Sequence, residues 1–201
     1  EMEFRARYEA LRRDWWPATR SLIDDVVKTS AGASRLADMT EYHLDTGGKR
    51  LRAMLPLIVA DELGVDVQTV VPFAAACEML HNATLVHDDL QDGDVVRRGR
   101  PTVWKKYGEA QAINVGDAMF YYTVLLAQRL DAPSDVRDRL IERILLETLR
   151  VIEGQALEFD LLERDRVALG DYLQMVEGKT SGLFALPLAG AAILCRLDEQ
   201  T

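Results

Sequence analysis

The residues that most directly suggest chemistry lie in "VHDDLQDGDVVRRGRPT", Val86 to Thr102, where four aspartates (Asp88, Asp89, Asp92, Asp94) fall within seven positions and three arginines (Arg97, Arg98, Arg100) within four. Carboxylates this close repel one another unless a counter-charge stands between them. Oxygen ligands spaced to share a small hard cation, with coordination positions left over, suit Mg2+ bridging to a substrate phosphate. The arginines supply a complementary half, because the planar guanidinium fork matches phosphate oxygens and two adjacent arginines can serve two anions. A solvated acidic loop, paired to these arginines by surface salt bridges worth under about 1 kcal/mol, is the plain alternative.

Two basic motifs add to this. "GGKRLRAML" (Gly47 to Leu55) sets two glycines before Lys49, Arg50 and Arg52 at a helix start, where backbone N–H groups attract anions and Lys49 and Arg52 share a side. A solvated basic helix start explains the same residues. "GKTSG" (Gly178 to Gly182) ends like a phosphate-binding P-loop, but position 173 is Leu where that motif needs Gly, and no strand precedes it. A kinked helix that turns Lys179 and Thr180 inward fits better, with a simple glycine break as the alternative. "IEGQALEFD" contributes Glu153, Gln155 and Glu158 to a long helix, where a solvated face accounts for them as well as a site does.

The element that must carry the acids is a helix over 70–92, with Pro72 in its first turn where a missing N–H costs nothing. Ala83, Val86 and Leu90 continue an apolar side with Cys77 and Met79. His81, Thr84 or Leu85, Asp88 and Asp92 follow one another along a second stripe, with Asp89 about one residue's rotation away. Carboxylates at a helix C-terminus face the negative end of the macrodipole, at a cost of roughly 0.3–1 kcal/mol each. Three of them there, on a helix apolar enough to be central, make sense if a cation arrives later.

Other spacings of three and four predict helices near 3–29 (interrupted at Pro17), 34–46, 49–63, 109–130, 135–162, 171–178 and 180–196. Alternating strand patterns are almost absent, so the expected fold class is all-α, a single-domain helical bundle over 1–201. The net charge of -9 argues against nucleic acid as a partner. The most apolar run, "GLFALPLAGAAILC", falls short of the roughly 20 residues of a membrane span, so no transmembrane segment is expected. Cys77 and Cys195 sit in apolar surroundings, as in a reducing compartment, and the N-terminus has no signal-peptide core, which predicts a cytoplasmic protein without a disulfide. Position 1 is Glu and not Met, as at a trimmed end.

In order along the chain, "GGKRLR" at 47–52, "HNATLVHDDLQD" at 81–92, "RRGRPT" at 97–102, "GD" at 116–117, "GQ" at 154–155 and "KT" at 179–180 resemble the motifs of the trans-prenyltransferases, the all-α polyprenyl diphosphate synthases. The resemblance implies a bundle of the isoprenoid synthase type around a central cavity. It implies Mg2+ as cofactor, isopentenyl diphosphate and an allylic diphosphate as substrates, and a homodimer. Asp88, Asp89 and Asp92 correspond to the first aspartate-rich motif, which holds Mg2+ on the allylic diphosphate, and Arg97 to the arginine serving that same group. Lys49, Arg52, His81 and Arg98 correspond to the isopentenyl diphosphate pocket. Lys179 and Thr180 correspond to the pair that contacts the allylic diphosphate and the developing charge. Loss of diphosphate, attack by the isopentenyl double bond and loss of a proton would then follow.

The resemblance also marks departures. Ala53 stands where the family usually has proline, with Pro56 available to set the helix entry. Members run considerably longer and carry a second aspartate-rich motif after the Lys-Thr pair, which nothing up to Thr201 supplies. The expectation is therefore a partial chain, poorly active alone. Ala83 and Thr84, one turn before Asp88, are small where short-product members carry bulky aromatics, which predicts a product of twenty carbons or more, with Phe120 or Tyr122 as deeper floors. A terpene cyclase and a non-catalytic subunit of a heteromeric synthase are the rival readings. The basic pocket argues against the first and the intact aspartates against the second.

Overall fold

The computed structural model describes residues 2–195, and among these all but one short hairpin of the regular structure is helical. Helices α1 (Met2–Thr29), α2 (Leu36–Leu44) and α3 (Leu51–Glu62) lead through a 3-10 turn (Val67–Val70) into α4 (Val71–Gln91). A two-stranded hairpin, β1 (Val96–Arg97) and β2 (Arg100–Pro101), and a short α5 (Val103–Tyr107) follow. Then come α6 (Glu109–Ala127), α7 (Ser134–Leu162), α8 (Leu169–Val176), a π-helical turn (Glu177–Ser181) and α9 (Gly182–Leu194).

Helix α4 is the axis of the bundle. It packs most extensively on α6 and is flanked by α3, α1 and α9. Phe73, Met79 and Leu80 are essentially inaccessible, each burial contributing about 1.5–3 kcal/mol. Because neighbours surround it, α4 is apolar on nearly every side through its first two turns, and polarity enters with Glu78, His81 and Asn82 in its middle and grows toward its C-terminal end. There it delivers Asp88 and Asp92 to the rim of the bundle.

Two points differ from the expectations. Helix α1 continues through Pro17 without interruption. The segment after α4 is not irregular: it forms the hairpin, with Val96 paired to Pro101 and Arg97 to Arg100. Arg98 and Gly99 make its turn with φ of 52° and 79°, the left-handed pair that suits a two-residue hairpin loop. Arginine is an unusual choice for the first of these positions, and its reason lies in the pocket described below. Among the described residues no helix is long and apolar enough to cross a membrane, and Cys77 and Cys195 are free.

Candidate active site

The three aspartates do not act as one cluster. Asp88 is half-buried at the wall of a cavity, and Asp92, which caps α4, is exposed one turn further on. Asp89, a rotation of roughly 100° away, is turned inward and buried. There Arg97 of the hairpin grips it through both oxygens, with Nε at 2.7 and 2.9 Å and Nη2 at 2.6 Å. Among the described residues no three His, Cys, Asp or Glu side chains converge to hold a metal by themselves. Asp88 and Asp92 still fit a shared hard cation. Burial pushes the Asp88 carboxyl up to about 6, and Asp92 and Asp89 push the same way against Lys179 and Arg97. A carboxylate this reluctant to ionise alone gains from a cation, and the all-oxygen donor pair suits Mg2+, whose remaining positions water or phosphate oxygens fill.

Opposite the acids lies a basic pocket of about 420 Å3, lined by Gly48, Lys49, Arg52, Glu78, His81 and Arg98 among others. It is assembled from the loop entering α3, the middle of α4 and the hairpin turn. The loop runs through left-handed backbone at Gly47, Gly48 and Arg50, with φ of 84°, 126° and 58°. Arg50 is fixed there because its buried guanidinium bonds Glu78 Oε1 at 3.1 Å and the Leu44 carbonyl at 2.6 Å and stacks on Trp16. Arg98 donates to the Gly47 carbonyl. A Cβ on Gly48 would sit 2.5 Å from the Arg98 guanidinium, so glycine is needed for the approach. His81 is held neutral: burial, then Arg52 and Arg98, pull its pKa down to about 3. Its Nδ1 is buried without a partner. Cations facing an unpartnered neutral imidazole make a receptor for a polyanion.

Lys179 reaches the acidic end from the opposite side. The π-turn that carries it inserts one extra residue per turn and so bulges the chain inward, toward α7. Backbone lies on backbone at this contact: a Cβ on Gly154 would be 2.5 Å from the Lys179 amide nitrogen, and one on Gly178 3.1 Å from the Arg150 carbonyl. Lys179 Nζ pairs with Glu158 at 2.5 Å. Burial lowers its pKa, but Glu158, Asp88 and Asp92 more than reverse this, so the ammonium stays charged. Thr180 belongs to the same turn; its side chain lies outside the described residues.

Between α4, α6 and α7 a cavity of about 480 Å3 starts at Asp88 and is lined by Thr84, His87, Phe120, Val151, Ile152, Gln155 and Phe159 among others. A second, of about 380 Å3, continues along α6 and α7 and shares Asp117, Phe120 and Ile152 with it. Of the two predicted chain-length positions only Thr84 faces this space. Ala83 is fully buried in the core, as is Tyr122, whereas Phe120 lies at the junction of the two cavities. Gln155 was undervalued in the sequence: it is buried, lines the cavity beside Asp88, and neither amide atom has a partner. Glu158 likewise belongs to the site through Lys179. A further groove of about 470 Å3, lined by Arg143, Glu147 and Arg150 among others, takes in Glu153 and the glycines at 154, 178 and 182 but none of the residues expected to bind metal or diphosphate.

The family model for polyprenyl synthetase matches residues 33–201. The chain is 38% identical over 179 residues to a geranylgeranyl diphosphate synthase from Methanosarcina mazei, covering 89% of this chain and 55% of that one. It is 39% identical over 147 residues to a (2E,6E)-farnesyl diphosphate synthase from Mycobacterium tuberculosis, covering 73% and 40%. The solved geranylgeranyl pyrophosphate synthetase from Geoglobus acetivorans superposes with a TM-score of 0.86 at 32% identity, covering 94% and 61%. The chain thus spans about half the length of the curated relatives it matches.

Proposed function

The chain belongs to the polyprenyl synthetase family, and from that footing we propose that it works as a prenyltransferase, condensing isopentenyl diphosphate with an allylic diphosphate to give a trans-polyprenyl diphosphate of twenty carbons or more. The observation that carries this reading is the pairing of two differently built anion sites beside one apolar cavity. Lys49, Arg52 and Arg98 bind a diphosphate through charge-assisted hydrogen bonds without a metal. His81, kept neutral, adds a hydrogen bond without competing for the proton that the product must lose. Asp88 and Asp92 hold Mg2+ at the other site, which when bound neutralises the leaving diphosphate and lowers the barrier to ionisation. Lys179 adds a fixed positive charge there, and the Gln155 carbonyl offers its dipole to the allylic cation in a space from which water is displaced by the prenyl tail.

Arg97 has a double task in this reading. It satisfies Asp89, which would otherwise be a buried unpaired charge, and keeps its guanidinium at the acidic end where the allylic diphosphate lies. A terpene cyclase needs only one diphosphate site, so the basic pocket speaks for condensation. The apolar side chains left exposed along α6 and α7, Tyr121, Leu125, Leu145, Leu149 and Ile152, support a homodimer through these helices, which sedimentation of the protein checks as a species of twice the chain mass.

The test is product analysis of the full-length protein with Mg2+, isopentenyl diphosphate and allylic primers of increasing length, each primer being extended only when all three components are present. No consumption of isopentenyl diphosphate would refute the reading. Within the same assay Thr84→Phe fills the cavity next to Asp88 and is expected to shorten the main product by at least one isoprene unit. Ala83→Phe overpacks the core instead, destabilising by about 1–3 kcal/mol without trimming the product. Identical product distributions for native and Thr84→Phe protein would remove Thr84 from the chain path.

A further inference from the structure

Arg52 differs from the other arginines of the basic pocket in what holds it. Arg50 is fixed by Glu78, the Leu44 carbonyl and Trp16, and Arg98 by the Gly47 carbonyl. Arg52 has no carboxylate within ion-pair distance among the described residues, and its Nε is buried without a partner. Burial makes its charged form costly; Glu78, across the pocket and out of ion-pair distance, offsets part of this, and Arg98 adds repulsion. Its guanidinium carbon lies 4.3 Å from the centre of the Phe184 ring, on α9.

We propose that Phe184 is a positioning residue for isopentenyl diphosphate, acting through Arg52. A long flexible side chain with no ion-pair partner would otherwise sample several rotamers. The ring face attracts the cation and holds the guanidinium over itself, which leaves N–H groups for phosphate oxygens in the pocket. An aliphatic side chain of similar size would fill the space but supply neither the attraction nor the flat wall. Phe184 also stands five residues after Lys179 on the continuous π-turn and α9, and α9 packs closely on α3. One element therefore presents Lys179 to the acidic end and the backing of Arg52 to the basic pocket, so a shift of α9 is felt by both diphosphates. This inference rests on the proposed assignment of the basic pocket to isopentenyl diphosphate.

Calorimetric titration of the protein with isopentenyl diphosphate, and separately with dimethylallyl diphosphate plus Mg2+, tests it in Phe184→Leu, Phe184→Tyr, Arg52→Met and the Phe184→Leu/Arg52→Met double variant. Phe184→Leu is expected to weaken isopentenyl diphosphate about tenfold and to leave the allylic ligand within about twofold. Phe184→Tyr, which keeps the ring, should bind both like the native protein. In the Arg52→Met background Phe184→Leu should have no further effect, because the two residues act as one unit. Unchanged isopentenyl diphosphate binding in Phe184→Leu overturns the proposal, as does equal weakening of both ligands, or an effect that persists without Arg52. If Arg52→Met itself leaves isopentenyl diphosphate binding intact, the pocket assignment falls and takes Phe184 with it.

Discussion

Asparagine in place of Asp88 is expected to reduce condensation by at least about a hundredfold while isopentenyl diphosphate binding stays within about twofold of native. The amide keeps the shape of the carboxylate and removes the charge that a divalent ion would share with Asp92. It also deprives Lys179 of one of the negative groups that keep its ammonium charged. The basic pocket is lined by residues of the loop entering α3, the middle of α4 and the hairpin turn, and Asp88 is not among them, so the loss should be confined to the ionising side. Asp89→Asn makes the contrast, because it breaks a buried pair with Arg97. A stability loss of about 3–5 kcal/mol should precede any catalytic reading there. Steady-state rates, calorimetry and thermal melts on the two variants separate the roles. Asp88→Asn retaining more than a tenth of native turnover would remove that residue from the metal site.

The difference between these neighbouring aspartates marks how far the sequence could be read. Helical periodicity located the principal helices to within about three residues, because a 3.6-residue repeat is sustained over several turns in each. It missed α5, whose five residues are too few to show a period, and the hairpin, whose turn uses Arg98 at a position that usually takes glycine or asparagine. That arginine pays its conformational penalty because the pocket needs its guanidinium beside Gly48. Residue type and spacing clustered Asp88, Asp89 and Asp92 at one helix end and put Lys49 and Arg52 on one side of another, while only the resemblance to the trans-prenyltransferases joined Lys49, Arg52, His81 and Arg98 into one pocket. They could not say that Asp89 faces inward, since that depends on Arg97 arriving from a separate element. Gln155 and Glu158 looked like a solvated face because α7 is a long amphipathic helix, and only packing against α9 and the π-turn covers that side. Phe184 was hidden within an apolar run, where nothing local distinguishes a ring backing an arginine from one filling a core.

A second large effect is expected from acid. His43 is buried, with a pKa pulled down to about 3 by desolvation and then by Arg97 and other arginines, and His81 behaves alike. Both imidazoles are neutral in the folded protein, whereas in the unfolded chain they take up protons below about pH 6.5. The unfolded state therefore binds more protons in the window from about 6.5 down to 3, and stability falls as the pH falls through it. At pH 5 each histidine costs about 2 kcal/mol. Asp88 works in the opposite direction, because its raised pKa lets the folded state gain a proton first, returning about 1.5 kcal/mol in the absence of metal. Burial raises the Asp89 carboxyl too, which trims the loss further, so a net loss of up to roughly 2–3 kcal/mol remains, which for a chain of this size lowers Tm by up to about 5–10 °C between pH 7.5 and pH 5. Melts in the presence of a chelator check the drop, and His43→Leu, which removes about 2 kcal/mol of it, should abolish most of it. Isopentenyl diphosphate should shrink it as well, since a polyanion among Arg52, Arg98 and His81 cancels the repulsion that helps keep that imidazole neutral. A Tm at pH 5 equal to that at pH 7.5 would mean that the two histidines are open to water and that the basic pocket is not the closed, charge-dense receptor on which the condensation chemistry depends.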